Sequence, residues 1–189
     1  MSQAAAKNTQ SSKFSVREIC YTGLFAAVIA VMAQISIPMP LGVPMTMQTF
    51  AITLAAVVLG SKLSAMASLV YLILGAVGVP VLASFSGGID KFVGPTGGFL
   101  ISFQLMAYII GLGVEHRNAF KGAFPLAVVV GTVVNYIVGV ILFVIVAHST
   151  VAVAISACVL PFIPTAILKA VLACAIGLNI RKRIPGLKA

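Results

Sequence analysis

Lys169 is the residue whose placement most demands a chemical reason. It lies in the apolar run ILKAVLACAIGL, with eleven residues between it and the basic cluster that opens at Arg181. At about 1.5 Å per residue that separation is roughly 16 Å of helix, which puts the ammonium near mid-membrane. A lysine at such depth costs about 2.5–3.5 kcal/mol to insert and usually faces a cavity or a partner. A cation held there suits an anionic or strongly polar ligand. Pro164 fits the first turn of a helix, and the positive end of that helix would point at the same pocket as Lys169. The chain has only three acids, Glu18, Asp90 and Glu115. Glu18 and Glu115 fall near the basic ends of apolar runs, so Lys169 is expected to pair with a ligand carboxylate or with Asp90.

Other polar residues inside apolar runs are few. Gln48 follows Pro38, Pro40 and Pro44 and is accompanied by Thr46 and Thr49; this irregular stretch favours a ligand role. Asn135 and Tyr136 sit mid-run. A buried amide must find hydrogen bonds, so Asn135 reads equally as a ligand contact or as interhelical glue. The segment from Gly78 to Gly98, GVPVLASFSGGIDKFVGPTGG, is rich in glycine. It is long for a connection in a compact domain, and long loops are disproportionately functional. Ser86, Gly87, Gly88, Asp90, Gly94, Pro95, Thr96, Gly97, Gly98 and Phe99 are its candidate ligand contacts, and Phe85, Phe92 and Phe99 would let it pack down as a lid.

The segment is not a phosphate-binding loop, because Gly94 is followed by Pro95 and Thr96 rather than by the residues a Walker motif needs. No nucleophile triad or HExxH motif is present. His116 and His148 have no acidic pair beside them. Cys20, Cys158 and Cys174 form no CxxC pair and read as small buried apolar residues. Neither catalysis, nor a metal, nor a cofactor is expected. If ATP drives the protein, another subunit must hydrolyse it.

The elements that would position these residues follow from composition. Of 189 residues, 61% are apolar and 8% charged, with 12 Lys or Arg against 3 Asp or Glu. Soluble domains carry about 25% charged residues, so the chain is expected to be a polytopic, all-α membrane protein. No basic stripe is interleaved with stacking aromatics, which argues against a nucleic-acid groove. Six spans are expected, at about Cys20 to Ile37, Thr46 to Gly60, Ser61 to Val79, Phe99 to Val114, Ala123 to Ala147 and Val151 to Ile180. The second is short and the sixth too long for one straight helix; Pro161 and Pro164 can break it. The termini and the loops holding Lys62, Arg117 and Lys121 are basic, and only Lys91 falls in the opposite loops. The positive-inside rule then puts both termini in the cytoplasm. Residues 1–15 are expected to be a disordered cytoplasmic tail and 16–189 a single six-helix domain in the plasma membrane. Ala26 and Ala30, at i and i+4 in the first run, make a smooth strip for close packing, within the bundle or against a partner.

These residues together resemble the BioY family, the biotin-binding S components of energy-coupling factor transporters. The likeness runs from about Val16 to Ile180. Its most specific part is GVPV, GG and GPTGGFL at Gly78–Val81, Gly87–Gly88 and Gly94–Leu100. VPMTMQ at Val43–Gln48, LGSKL at Leu59–Leu63, YLILGAVG at Tyr71–Gly78 and PFIPTAILKAVLA at Pro161–Ala173 accompany it. The resemblance implies a vitamin captured at the outer side under loop lids. Ala26 and Ala30 would then dock on a transmembrane coupling subunit driven by two cytoplasmic ATPases. Family members commonly carry an Asp where this chain has Ala166, and some have Asn and Arg at the positions of Ser86 and Leu100. Lipoate, or an autonomous biotin facilitator, are the alternatives to biotin capture for a coupled transporter.

Overall fold

The computed structural model describes residues 15–39, 42–118 and 122–184. The tail expected over residues 1–15 lies outside them except for Ser15, and so do Pro40 and Lys121. The described chain is helical throughout, with one two-stranded hairpin.

Helix α1 (Val16–Ala33) opens on a capping box: Ser15 N–H donates to Glu18 Oε2 at 2.8 Å. Strands β1 (Ser36–Ile37) and β2 (Met45–Thr46) then pair antiparallel, Ser36 opposite Thr46. The sequence predicts a first span through Ile37 and a second from Thr46. Both ends are instead extended, because Pro38 and Pro44 disfavour helix around them.

Helices α2 (Gln48–Leu59) and α3 (Ser61–Ala76) meet at Gly60, whose φ of 86° makes the break. All but Thr49 of the 12 residues of α2 are buried. It is the central helix, packed against α1, α3, α5 (Gly97–Glu115) and α8 (Ile163–Arg183). The segment between α3 and α5 holds a 3-10 turn at Ala83–Phe85 and the short helix α4 (Asp90–Val93). Helix α6 (Ala123–Val146) packs along α5. The last apolar run is broken as its prolines require: α7 (Val151–Cys158), a 3-10 turn at Leu160–Phe162, then α8 with Pro164 in its first turn.

Among the described residues, α1, α5, α6 and the α7–α8 stretch are long and apolar enough to cross a membrane; α2 and α3 are shorter. Large apolar side chains point outward from α1, α6 and α8, among them Leu24, Ile137, Ile141 and Val171. Helix packing in hydrocarbon relies on close contact and polar bonds rather than on hiding such groups. Cys20 is exposed in this outward layer, against the expectation that all three cysteines are buried.

Two of the three acids are spent at helix starts. Glu18 closes the capping box of α1. Glu115, at the end of α5, accepts from Ser61 N–H at 2.7 Å and from Ser61 Oγ, neutralising the positive start of α3. At the same end, Arg181 of α8 is buried and donates to the carbonyls of Val57 and Val58 in the last turn of α2.

Candidate functional site

A cavity of about 640 Å³ opens at the opposite end of the bundle, among the β-hairpin, the segment between α3 and α5, α6 and the start of α8. That volume lies within the range of small-molecule sites, roughly 300–1,000 Å³.

Lys169 lines the cavity from α8. Its Nζ donates to the carbonyl of Thr46 at 2.7 Å. The expected ion pair with Asp90 is not formed. Asp90 instead pairs with its neighbour Lys91 at 3.5 Å, with both side chains substantially exposed. Glu18 and Glu115 cap helices elsewhere. None of the three acidic side chains therefore neutralises Lys169, and its described partner is a neutral carbonyl.

Thr46 and Gln48 line the cavity where the hairpin enters α2. Gln48 Oε1 accepts from Thr46 Oγ1 at 2.7 Å, and its Nε2 donates to Tyr71 Oη at 2.5 Å. Tyr71 is fully buried. Asn135 and Tyr136 line the wall from α6. Asn135 Nδ2 donates to Ser102 Oγ at 2.8 Å and to the Phe99 carbonyl at 3.2 Å, tying α6 to α5. Asn135 thus bonds a second helix and also faces the cavity.

From the long segment, Ser86, Asp90, Gly94, Pro95, Thr96 and Phe99 line the cavity. Gly87, Gly88, Gly97 and Gly98 do not. Their missing side chains allow close packing against neighbouring parts of the chain. A Cβ at Gly87 would lie 3.0 Å from the Gly78 carbonyl oxygen, and one at Gly98 would lie 2.6 Å from the Val138 carbonyl oxygen of α6. A Cβ at Gly97 would overlap the Phe92 carbonyl, and one at Gly88 the Asp90 carboxylate. Of the three lid phenylalanines, Phe99 reaches the cavity and Phe92 packs on the core, but Phe85 is 71% exposed.

Ala26 does not lie on an outer face. It is 3% exposed and sits in the interior cluster with Ile29 and Ala33, where its small size serves this chain's own packing. Ala30 is half-buried against the same cluster. The outward small residues of α1 are Gly23 and Ala27.

Lys91, Phe103, Phe162 and Thr165 line the cavity without having been singled out from sequence. Thr165 and Phe162 flank Pro164 on the turn entering α8, and that proline was the available signal. Phe103 is one turn after Phe99 on α5, a spacing that shares a face.

Residues 6–186 match the model of the BioY family. The chain belongs to the BioY family. A biotin transporter BioY of Thermotoga maritima is 41% identical over 168 residues, covering 88% of this chain and 97% of that relative. The BioY biotin transporter of Rhizobium etli is 34% identical over 186 residues, covering 93% and 98%. Among solved structures, the S-component for biotin from an ECF-type ABC transporter overlays with a TM-score of 0.80 at 26% identity, covering 88% of this chain and 92% of that one. The helical architecture is thus that of a BioY S component, and the chain is a multi-pass membrane protein.

Proposed function

We propose that this BioY chain captures biotin at the outer face of the plasma membrane and delivers it inward as the S component of an energy-coupling factor transporter. The observation that carries this reading is the charge state of the cavity. Its two lysines face one carboxylate, and that carboxylate sits beside Lys91, which leaves Lys169 without a counter-charge. A half-buried cation favours an anion beside it. The carboxylate of biotin supplies one, and its bicyclic ring matches the apolar surface of Phe99, Leu100, Phe103 and Phe162.

Ala166 lines the cavity one turn before Lys169, so no acid accepts from the ureido N–H groups there. Asn135 takes that role in this reading. Its Nδ2 is used by Phe99 and Ser102, and its Oδ1 accepts no hydrogen bond among the described residues. Thr46, Gln48, Ser86 and the Gly94–Thr96 turn complete the polar set.

Six spans with both termini in the cytoplasm accord with this reading. The short α2 and α3 count as spans in this reading: α2 is buried among its neighbours, and α3 turns Leu69, Val70, Ile73 and Leu74 outward. Arg17, Lys62, Arg117 and Arg181 to Arg183 gather at the end opposite the cavity, whereas Lys91 lies at the cavity rim, as the positive-inside bias requires. The outer strip of α1 at Gly23 and Ala27 is then the natural seat for the transmembrane coupling subunit, with cytoplasmic ATPases supplying the energy.

Equilibrium binding of biotin and of lipoate to the purified protein tests the substrate. Saturable biotin binding with lipoate at least 100-fold weaker is the expected result. Preference for lipoate would overturn the head-group assignment.

A further inference from the structure

The cavity rim at 82–86 is held by a helix that lines no part of the cavity. Leu82, Ala83, Ser84 and Ser86 all line it, whereas no residue of α1 does. The connection runs through Gln34, the residue that caps the C-terminal end of α1. Gln34 Nε2 donates back to the Ala30 carbonyl at 2.8 Å and across to the Val81 carbonyl at 3.1 Å. Its Oε1 accepts from Phe85 N–H at 2.8 Å. One amide thus bonds the rim on both sides of its turn.

That turn needs holding. Ser84 and Phe85 are consecutive non-glycine residues in the left-handed region, with φ of 57° and 53°. Side chains disfavour this conformation, and it persists where the surroundings over-determine it. The Phe85 ring is exposed and anchors nothing. Within the rim, Leu82 N–H bonds the Ser86 carbonyl at 2.9 Å. Leu82 packs into the interior cluster that also holds Ile29 and Ala33; apart from one hydroxyl contact between Ser36 and Ser84 at 3.2 Å, the Gln34 amide is the hydrogen-bonded tie from the α1 side.

We propose that Gln34 is a positioning residue for the cavity rim: by bonding Val81 and Phe85 it keeps Ser84 and Ser86 over the ligand, and so sets how long the ligand is retained. The inference rests on the cavity being the biotin site. Because Gln34 is also bonded one turn back to Ala30, a tilt of α1 moves the rim with it. A partner seated on α1 would therefore reach the lid without touching it.

The test uses full-length protein in lipid nanodiscs, as wild type, Q34L and Q34E. Amide hydrogen exchange over residues 81–86, without biotin, reads the latch directly. Chase of radiolabelled biotin reads retention. Q34L removes both rim bonds; it is expected to lose protection at Phe85 and to release biotin about tenfold faster, the equivalent of about 1.4 kcal/mol, with the association rate little changed. Q34E keeps the acceptor for Phe85 N–H and loses the donor to Val81. Its Phe85 amide should stay protected and its release rate fall between the other two. Wild-type exchange and wild-type release in Q34L would overturn the proposal. If the wild-type protein binds no biotin, the reading of the cavity fails instead, and exchange still decides the latch: lost protection in Q34L supports it and unchanged protection overturns it.

Discussion

Lys169 and Arg181, twelve residues apart on α8, each donate to a main-chain carbonyl 123 residues earlier: Nζ of Lys169 to Thr46 at 2.7 Å, Nη1 of Arg181 to Val58 at 2.9 Å. The two acceptors flank α2, Thr46 just before it and Val58 in its last turn, so α8 runs in the same direction as α2. Buried Ala173 and Gly177 fill the face between the two cations, and a Cβ on Gly177 would lie 2.7 Å from Val57 Cγ1. Close approach along this seam is what lets both side chains reach backbone. The two ends differ in surroundings. Lys169 opens on the cavity, whereas Arg181 is 7% exposed among carbonyls. One cation is available to a ligand and the other is committed to the fold.

Substituting Lys169→Met should therefore weaken biotin binding while leaving the empty protein nearly as stable. A hydrogen bond to a charged group contributes about 1.5–3 kcal/mol, which converts to roughly a 10- to 150-fold rise in Kd. Isothermal titration calorimetry on the purified variant measures it. Wild-type affinity in Lys169→Met and in Lys169→Ala would remove Lys169 from the site.

Arg181→Met should show the opposite pattern. It strands the Val57 and Val58 carbonyls at the buried end of α2, at a cost of about 1–3 kcal/mol. The thermal midpoint of the unliganded protein should fall, and the folded fraction should bind biotin with near wild-type Kd. A loss of affinity without loss of stability would mean that the α2–α8 packing reaches the cavity after all.

This division of labour was only half legible in the sequence. Lys169 stood out because a charge inside an apolar run has few explanations. Arg181 did not, because at the end of a run it looks like any other topology-setting residue, and burial against carbonyls from α2 is a tertiary fact. The break of the last run was readable from Pro161 and Pro164, since proline acts through local geometry. The hairpin at Ser36–Thr46 was not, because two-residue strands carry no periodicity. For the Gly78–Gly98 segment the composition reveals an irregular loop but cannot separate glycines that line the cavity from glycines that pack against neighbouring chain. Gln34 was invisible for a related reason: a glutamine after an apolar run looks like an ordinary helix end until its partners 47 and 51 residues away are known.

Gly98→Ala tests that distinction. Its new methyl would meet the Val138 carbonyl oxygen at 2.6 Å and Leu142 Cβ at 2.8 Å, so α5 and α6 must separate. Overpacking of this kind typically costs about 1–3 kcal/mol. The same shift would displace Phe99 and the Asn135–Ser102 bond, so biotin affinity should fall together with the thermal midpoint. A variant with reduced affinity and an unchanged midpoint would instead restore Gly98 as a direct ligand contact.

The first helix offers the sharpest separation of binding from delivery. Ala26 is 3% exposed in the core, whereas its neighbour Ala27 and Gly23, one turn before, face outward. A Cβ at Gly23 would meet nothing within 4 Å, so a larger residue is accommodated there without internal strain. Gly23→Leu and Ala27→Leu should bind biotin like the wild type yet fail in ATP-driven uptake by vesicles that contain the coupling subunits, because leucine holds a partner helix away. Ala26→Leu should lose binding and uptake together, since the added volume has only packed neighbours to enter. Normal uptake by Ala27→Leu and Gly23→Leu would move the docking surface off α1. Intact binding in Ala26→Leu would show that the interior at α1 has more room than its packing implies.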